Sequence, residues 1–200
     1  MPEEAADLEL VQRCKSGELS AFETLVLRHQ DKIFNLVLRY VGNREDAADI
    51  TQEVFLKAYR AMGSFAERSS FGTWLYRIAV NTALSFMRKQ RSGGHPISLS
   101  AQNDEGHGQP HEPPDHNQPL NELSREETEQ AVQQAISSLD EEYRIVVILK
   151  DIEGLNYETI AGILGCPKGT VKSRLHRARL ILRDKLKRLL PDTGESGGRM

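Results

Sequence analysis

Apolar residues return every third or fourth position through most of the chain, the spacing of a helix face packed against a core. Phe22, Leu25, Val26, Ile33, Leu36, Val37 and Tyr40 form one such set. Ser20 with Glu23 reads as a capping box ahead of it, and Gly42 as its stop. Asn43 then opens "NREDAADITQEVFLKAYRAM", in which Ala47, Ile50, Val54, Phe55, Ala58 and Met62 fall on one face before Gly63. A third long helix is predicted from Ser69 or Ser70 to about Gln90, with Phe71, Leu75, Ile78 and Thr82 as its inner stripe. A shorter one over residues 8–15, closed by Gly17, precedes them all.

The pattern lapses over residues 92–123 and then resumes. Ser124 with Glu127 reads as the cap of a helix to about Ser138, and Asp140 as the cap of another to about Asp151, before Gly154. Next comes "YETIAGILGCPKGTVKSRLHRAR", two helical stretches either side of a Gly-Cys-Pro-Lys-Gly break. No alternation of period two is sustained enough for a sheet. The expected fold is all-α, with two small helical domains joined by a linker.

The interruption carries Pro96, Pro110, Pro113, Pro114 and Pro119 among small polar residues, and is read as flexible. Its charges are all acidic: Asp104, Glu105, Glu112, Asp115 and Glu122. The spacing of His95, His107, His111 and His116 is irregular and argues against a metal site. Cys14 and Cys166 lack the spacing of a zinc site or disulfide framework and read as small buried residues.

The longest apolar run, residues 145–149, is flanked by Arg144 and Lys150 and is far below the roughly 18 to 20 residues that span a bilayer. The opening "MPEEAADLEL" has no apolar signal core. A cytoplasmic protein with no direct membrane insertion is therefore expected.

Charge changes the picture once it is divided along the chain. The net charge of −3 hides a stretch over residues 168–190 with nine Lys and Arg against Asp184 alone, a local +8, so the remainder sums to −11. That stretch holds the second half of a helix-turn-helix pattern, whose second helix enters the DNA major groove. Val171, Leu175, Ala178 and Leu182 share the inward stripe. Ser173, His176, Arg177 and Leu180 face away, with Lys172, Arg174 and Arg179 on the flanks. Arg and Lys reach guanine edges or phosphates, and Ser and His reach bases or backbone. A charged face is often only a solvated one, but there are too few acids here for intrahelical ion pairs.

A second nucleic-acid face is suggested by the loop "GSFAERSS" and the helix after it, which combine Phe65, Arg68, Ser69, Ser70, Trp74, Arg77 and Asn81. Rings stack on unpaired bases, guanidinium groups bind phosphate and amides read base edges. The aromatics alone would suit a core equally well. Asp46, Asp49 and Glu53 near a helix start are favourable in any protein and say little alone.

These blocks gain meaning together. "DAADITQEVFLKAYRAMGSF", "SFGTWLYRIAVNTALSFMRKQR", an acidic Pro-rich linker, "LDEEYRIVVILKDIEGLNYETIA" and "GTVKSRLHRARLIL" stand in one order. The combination resembles the extracytoplasmic-function branch of the sigma-70 family of bacterial RNA polymerase sigma factors. The resemblance implies region 2 over residues 1–91, a linker over 92–123, region 4 over 124–190 and a tail over 191–200, with no region 3 domain. It further implies that Asp46, Asp49, Gln52, Glu53 and Phe55 meet the clamp helices of the polymerase's largest subunit, with the flap region a further contact.

On the same basis, the loop and helix over residues 63–81 would take a flipped base of the single-stranded −10 element, with Asn81 foremost and Arg77 and Trp74 nearby. Lys172, Ser173, His176 and Arg177 would read the duplex −35 element, with Tyr157, Thr170 and Arg174 near phosphates. The linker would follow the RNA exit path. The resemblance implies a non-enzymatic initiation factor without a cofactor, held by an anti-sigma partner. The competing reading is a stand-alone helix-turn-helix regulator with a helical sensing or dimerisation domain. A hydrolase or nuclease has no Gly-rich phosphate loop and no carboxylate and histidine set at metal-ligand spacing to support it.

Overall fold

Asn43 behaves as its sequence position suggests: its side-chain oxygen accepts the backbone N–H groups of Glu45 at 2.8 Å and Asp46 at 3.0 Å, opening helix α3 (Arg44–Ala61). The computed structural model that contains this cap describes residues 2–92 and 125–189, with side chains described over 6–91 and 128–188. Ser124, the expected tail and all of the expected flexible linker except Ser92, which is helical, lie outside the described residues. Within them every regular element is helical.

Helix α1 (Pro2–Lys15) leads through Gly17 into α2 (Leu19–Val41), which closes on Gly42. Gly42 sits at φ 80° and donates its N–H to Leu38 O at 2.8 Å, a left-handed stop that favours glycine. The start of α2 differs from the expected capping box, because Ser20 lies inside the helix and Glu18 is the capping residue. Arg13 Nε donates to Glu18 at 2.9 Å, and the Ser20 hydroxyl also donates to that carboxylate at 2.9 Å. The Ser20 hydroxyl is therefore turned towards Glu18, away from the amides of the first turn.

After α3 comes a 3-10 turn (Met62–Ser64), a loop and α4 (Phe71–Ser92), where Ser70 Oγ accepts the Thr73 N–H at 3.2 Å. The second half runs α5 (Arg125–Ser137), α6 (Glu141–Val147), a π-turn (Ile148–Ile152), α7 (Tyr157–Leu164) and α8 (Lys168–Leu189). Asp140 occupies the cap position of α6 but makes no side-chain cap bond, which corrects the expected capping role. The helical pattern read to Asp151 is present as α6 and the wider π-turn, where Glu153 N–H reaches back to Ile148 O at 3.0 Å.

Buried faces tie these helices together. Leu25, Leu36, Ile50, Val54 and Leu75 centre the first half, and Ile148, Leu149, Ile160, Val171 and Leu175 the second. Each such side chain contributes roughly 1.5–3 kcal/mol relative to exposure. Asp7, itself buried, lies 2.7 Å from His29 Nε2 and 3.1 Å from the Arg28 guanidinium. The His29 ring stands edge-on to Phe71 at 5.3 Å, so this group fixes α1 and the start of α4 on α2. Cys14 is buried, and burial raises its thiol pKa; Cys166 in the turn between α7 and α8 is only half-buried.

The two halves also share one continuous apolar cluster. Arg144 extends Nη1 to Tyr40 O at 2.8 Å across the junction, while its Nη2 bonds Ser137 O and Leu139 O within the second half. Packing between the halves is a finding that the linear pattern did not announce.

Candidate nucleic-acid interface

The break between α7 and α8 is a tight, specified turn. Asn156 caps α7 by accepting the Thr159 N–H at 2.8 Å, and Gly165 ends it at φ 63°, where a side chain would be strained. Pro167 O accepts the Thr170 N–H at 2.9 Å to begin α8. Val171, Leu175 and Ala178 are buried and Leu182 is half-buried, as the inward stripe predicts. Lys172, Ser173, His176, Arg177 and Leu180 point outward.

The outward side chains differ in how much they are already committed. Ser173 donates its hydroxyl to Thr170 O at 3.0 Å, leaving its oxygen lone pairs to accept. Arg174 pairs with Glu142 at 2.7 Å, and Arg179 Nε donates to Asp151 at 3.2 Å, which raises the Arg179 pKa. Lys168 pairs with Glu158 and lowers its carboxyl pKa. His176 and Arg177 have no protein partner among the described residues and stand on the solvent side of α8.

Tyr157 adds a cationic corner at the start of α7. Lys150 lies over one part of its ring at 5.1 Å from the centroid, and Lys172 at 5.7 Å. Lys150 also donates to Leu155 O at 3.1 Å, which holds it at this corner. Two ammonium groups beside a helix N-terminus suit a phosphate, since the helix dipole adds to their charge. Tyr157 was expected here; Lys150 was missed, because its reach depends on the π-turn that folds its segment back.

In the first half, the loop between α3 and α4 is held in an uncommon conformation. Glu67 is a non-glycine residue at φ 56°, and Lys15 Nζ and Gln12 Nε2 clamp its carboxylate at 2.7 Å and 2.5 Å. Lys15 also donates to Phe65 O at 2.8 Å. The clamp leaves Arg68 and Ser69 exposed and Ser70 half-buried at the helix start.

Phe65 corrects the expectation of a base-stacking ring on the surface. It is buried, with its ring 4.9 Å from Trp74 and 6.2 Å from Phe71. It supports the surface from beneath, and half-buried Trp74 is the ring of this group that reaches solvent. Asn81 is exposed one turn beyond Arg77, with no protein partner among the described residues. Arg77 is engaged, its Nη2 donating to Gly162 O of α7.

The outer face of α3 presents Asp49, Gln52 and Glu53, with Asp46 half-buried. Glu53 pairs with Lys57 at 2.7 Å. Phe55 is a second correction: it is turned into the core with Val54 and cannot offer its ring to a partner. The exposed large apolar residues of α3 are Leu56, 56% exposed, and Tyr59, 48% exposed. Positions 49, 52, 53 and 56 follow helical spacing, so an apolar residue at 56, off the inner stripe, was the available signal.

No helix among the described residues is long and apolar enough to cross a membrane. No group of three or more His, Cys, Asp or Glu among them could hold a metal ion.

A helix-turn-helix with a one-signed outer face, joined to a helical bundle that displays an aromatic, arginine and amide surface, defines a DNA-binding protein with two dissimilar reading surfaces. The Sigma-70 region 2 model matches residues 25–93, and the Sigma-70, region 4 model matches residues 129–182. The chain is 43% identical over 195 residues to the ECF RNA polymerase sigma-E factor of Escherichia coli K12, covering 95% of this chain and 99% of that one. It is 41% identical over 184 residues to the RNA polymerase sigma-H factor of Pseudomonas aeruginosa PAO1, covering 92% and 95%.

Among solved structures, the sigma factor RpoE in complex with the anti-sigma factor NepR from Bartonella quintana matches with TM-score 0.62 and 28% identity, covering 83% of this chain and 96% of that one. CnrH in complex with the cytosolic domain of CnrY matches in fold with TM-score 0.66 and 24% identity, covering 92% and 98%. The chain belongs to the extracytoplasmic-function branch of the sigma-70 family.

Proposed function

We propose that this chain is a non-enzymatic initiation factor that joins core RNA polymerase in the cytoplasm and directs it to promoters by reading −35 and −10 elements. The observation that carries this reading is the pairing of two unlike surfaces in one chain. The outer face of α8 offers unengaged His176 and Arg177 for duplex edges, and the clamped loop with α4 offers Trp74 and Asn81 for an unpaired base.

Each surface has its own work. Arg177 is the best placed guanidinium for a bidentate base contact, with Lys172 and Ser173 beside it. Tyr157, Lys150 and Thr170 suit the adjacent phosphates; Arg174 and Arg179, already paired with carboxylates, are poorer base readers. On the other surface, extruding a base costs a few kcal/mol, offset by stacking and by amide hydrogen bonds from Asn81. Arg68, Ser69 and Ser70 would track the backbone there. For the polymerase we assign the outer face of α3, with Asp46, Asp49, Gln52 and Glu53 around exposed Leu56 and Tyr59. An apolar centre within an acidic rim has the make-up of a docking surface for a basic, partly apolar partner.

An anti-sigma protein is a further expected partner, consistent with the complexes formed by the structural relatives. Footprinting tests the reading against a stand-alone regulator. Protection of −35 and −10 positions should require core polymerase together with this chain. Equal protection by the chain alone, spread over paired half-sites, would support the regulator instead.

A further inference from the structure

Helix α8 is rich in cations and holds a single acid, Asp184, so the carboxylates that meet its flanking cations come from the three elements before it. Glu142 of α6 pairs with Arg174 at 2.7 Å. Asp151 of the π-turn accepts from Arg179 Nε at 3.2 Å, and Glu158 in the first turn of α7 pairs with Lys168. The charge of Lys172 acts on Glu158 as well. By helical position Arg174 lies on one flank of the outward face, with Lys168 and Arg179 on the other, so carboxylates border that face on both sides. His176 and Arg177 project between them with no carboxylate partner among the described residues.

All three pairs are partly exposed to solvent, and pairs of that kind add little to stability. Their consequence for DNA is larger. Sequence-independent binding is carried by cations that displace counterions from phosphates, and a cation already neutralised by a carboxylate adds little to it.

We propose that Glu142, Asp151 and Glu158 are specificity-determining residues that hold down the sequence-independent part of DNA binding, so that base contacts from the outward face decide where α8 settles. This inference rests on the function proposed above. Phosphates are alike at every site, whereas base edges are not. Unopposed cations on both flanks would hold the free chain on bulk duplex, where competing sites outnumber promoters by orders of magnitude. Each carboxylate occupies a cationic group that a phosphate would use, so a phosphate must displace it or forgo that cation.

Fluorescence anisotropy with the full chain and a labelled duplex of random sequence tests this without polymerase or promoter, so its outcome is separate from whether the chain directs initiation. The amide variant Glu142→Gln with Asp151→Asn and Glu158→Gln removes three negative charges while keeping side-chain shape and an oxygen acceptor at each position. Circular dichroism first establishes wild-type helicity; should the triple variant lose it, Asp151→Asn alone gives the same reading at smaller amplitude. At about 0.1 M salt the amide variant should bind random duplex roughly tenfold more tightly, and its plot of log affinity against log salt should steepen by about 0.9 for each phosphate gained. A control with the same change in net charge outside the helix-turn-helix, Glu9→Gln with Glu23→Gln and Asp31→Asn on α1 and α2, should stay within about twofold of wild type, because salt screens distant charges. Replacing the partner cations as well, through Lys168→Gln, Arg174→Gln and Arg179→Gln, should return the amide variant to wild-type binding. An amide variant that binds no more tightly than wild type, a control that tightens equally, or a gain that survives loss of the three cations would overturn the proposal.

Discussion

Arg177 and Asn81 stand on different surfaces but share one property: neither is spent on holding the fold. Replacing Arg177 with alanine should therefore leave the melting temperature nearly unchanged while weakening −35 binding by the holoenzyme. The cost should be about 1–3 kcal/mol if the guanidinium makes a bidentate base contact. Equal loss on unrelated duplexes in a salt titration would assign it to phosphate instead. Asn81→Ala should slow promoter opening on duplex templates but not on templates with a preformed mismatch bubble around the −10 element, where only base discrimination should suffer. Equal slowing on both templates would remove Asn81 from the capture step.

Glu18 makes a prediction about pH. The Arg13 guanidinium, helped by the Ser20 hydroxyl, holds its carboxyl down to about 2. A depressed carboxyl adds stability that is present above its unfolded value of about 4.5 and fades as pH falls towards 2. The melting-temperature gap between wild type and Glu18→Gln should be small, because the pair is exposed, and should shrink as pH drops through that window. A gap that widens on acidification would contradict the assigned cause.

Among the elements, the cap at Asn43, the glycine stop at Gly42 and the break beginning at Gly165 were legible because each is local in sequence, whereas the Asn156 cap was established only by the structure. Asn156→Ala should destabilise the second half by about 1 kcal/mol in thermal unfolding, the usual worth of such a cap. The expected box at Ser20 was misread for a non-local reason: Arg13, on the preceding helix, draws Glu18 into the cap position. Phe55 illustrates a different error. Its helical spacing placed it correctly on the inner face, and only the family resemblance suggested an outward role; Leu56 is the outward residue. The loop clamp was invisible in the sequence, since Lys15 and Glu67 meet through folding across 52 positions. Lys15→Met should loosen that loop, seen as faster amide exchange over residues 64–70, and reduce opening without altering −35 binding.

At the level of the whole molecule, the division into two helical halves was readable from the lapse in periodicity, and the DNA-facing half from its concentration of positive charge. How the halves meet was not. Arg77 to Gly162 and Tyr76 to Glu153 join residues more than 70 positions apart through a helix-end carbonyl and a π-turn that apolar spacing does not encode. Composition likewise gave no sign that Lys150 would join Lys172 over Tyr157.

The central claim is that this chain gives core polymerase its promoter selectivity, and abortive synthesis by purified components tests it most directly. Core enzyme with this chain, supplied with genomic promoter fragments, should make short transcripts from defined start sites that core alone does not use. Transcripts that start at the same positions with and without the chain, while the chain alone binds those fragments tightly, would contradict the account.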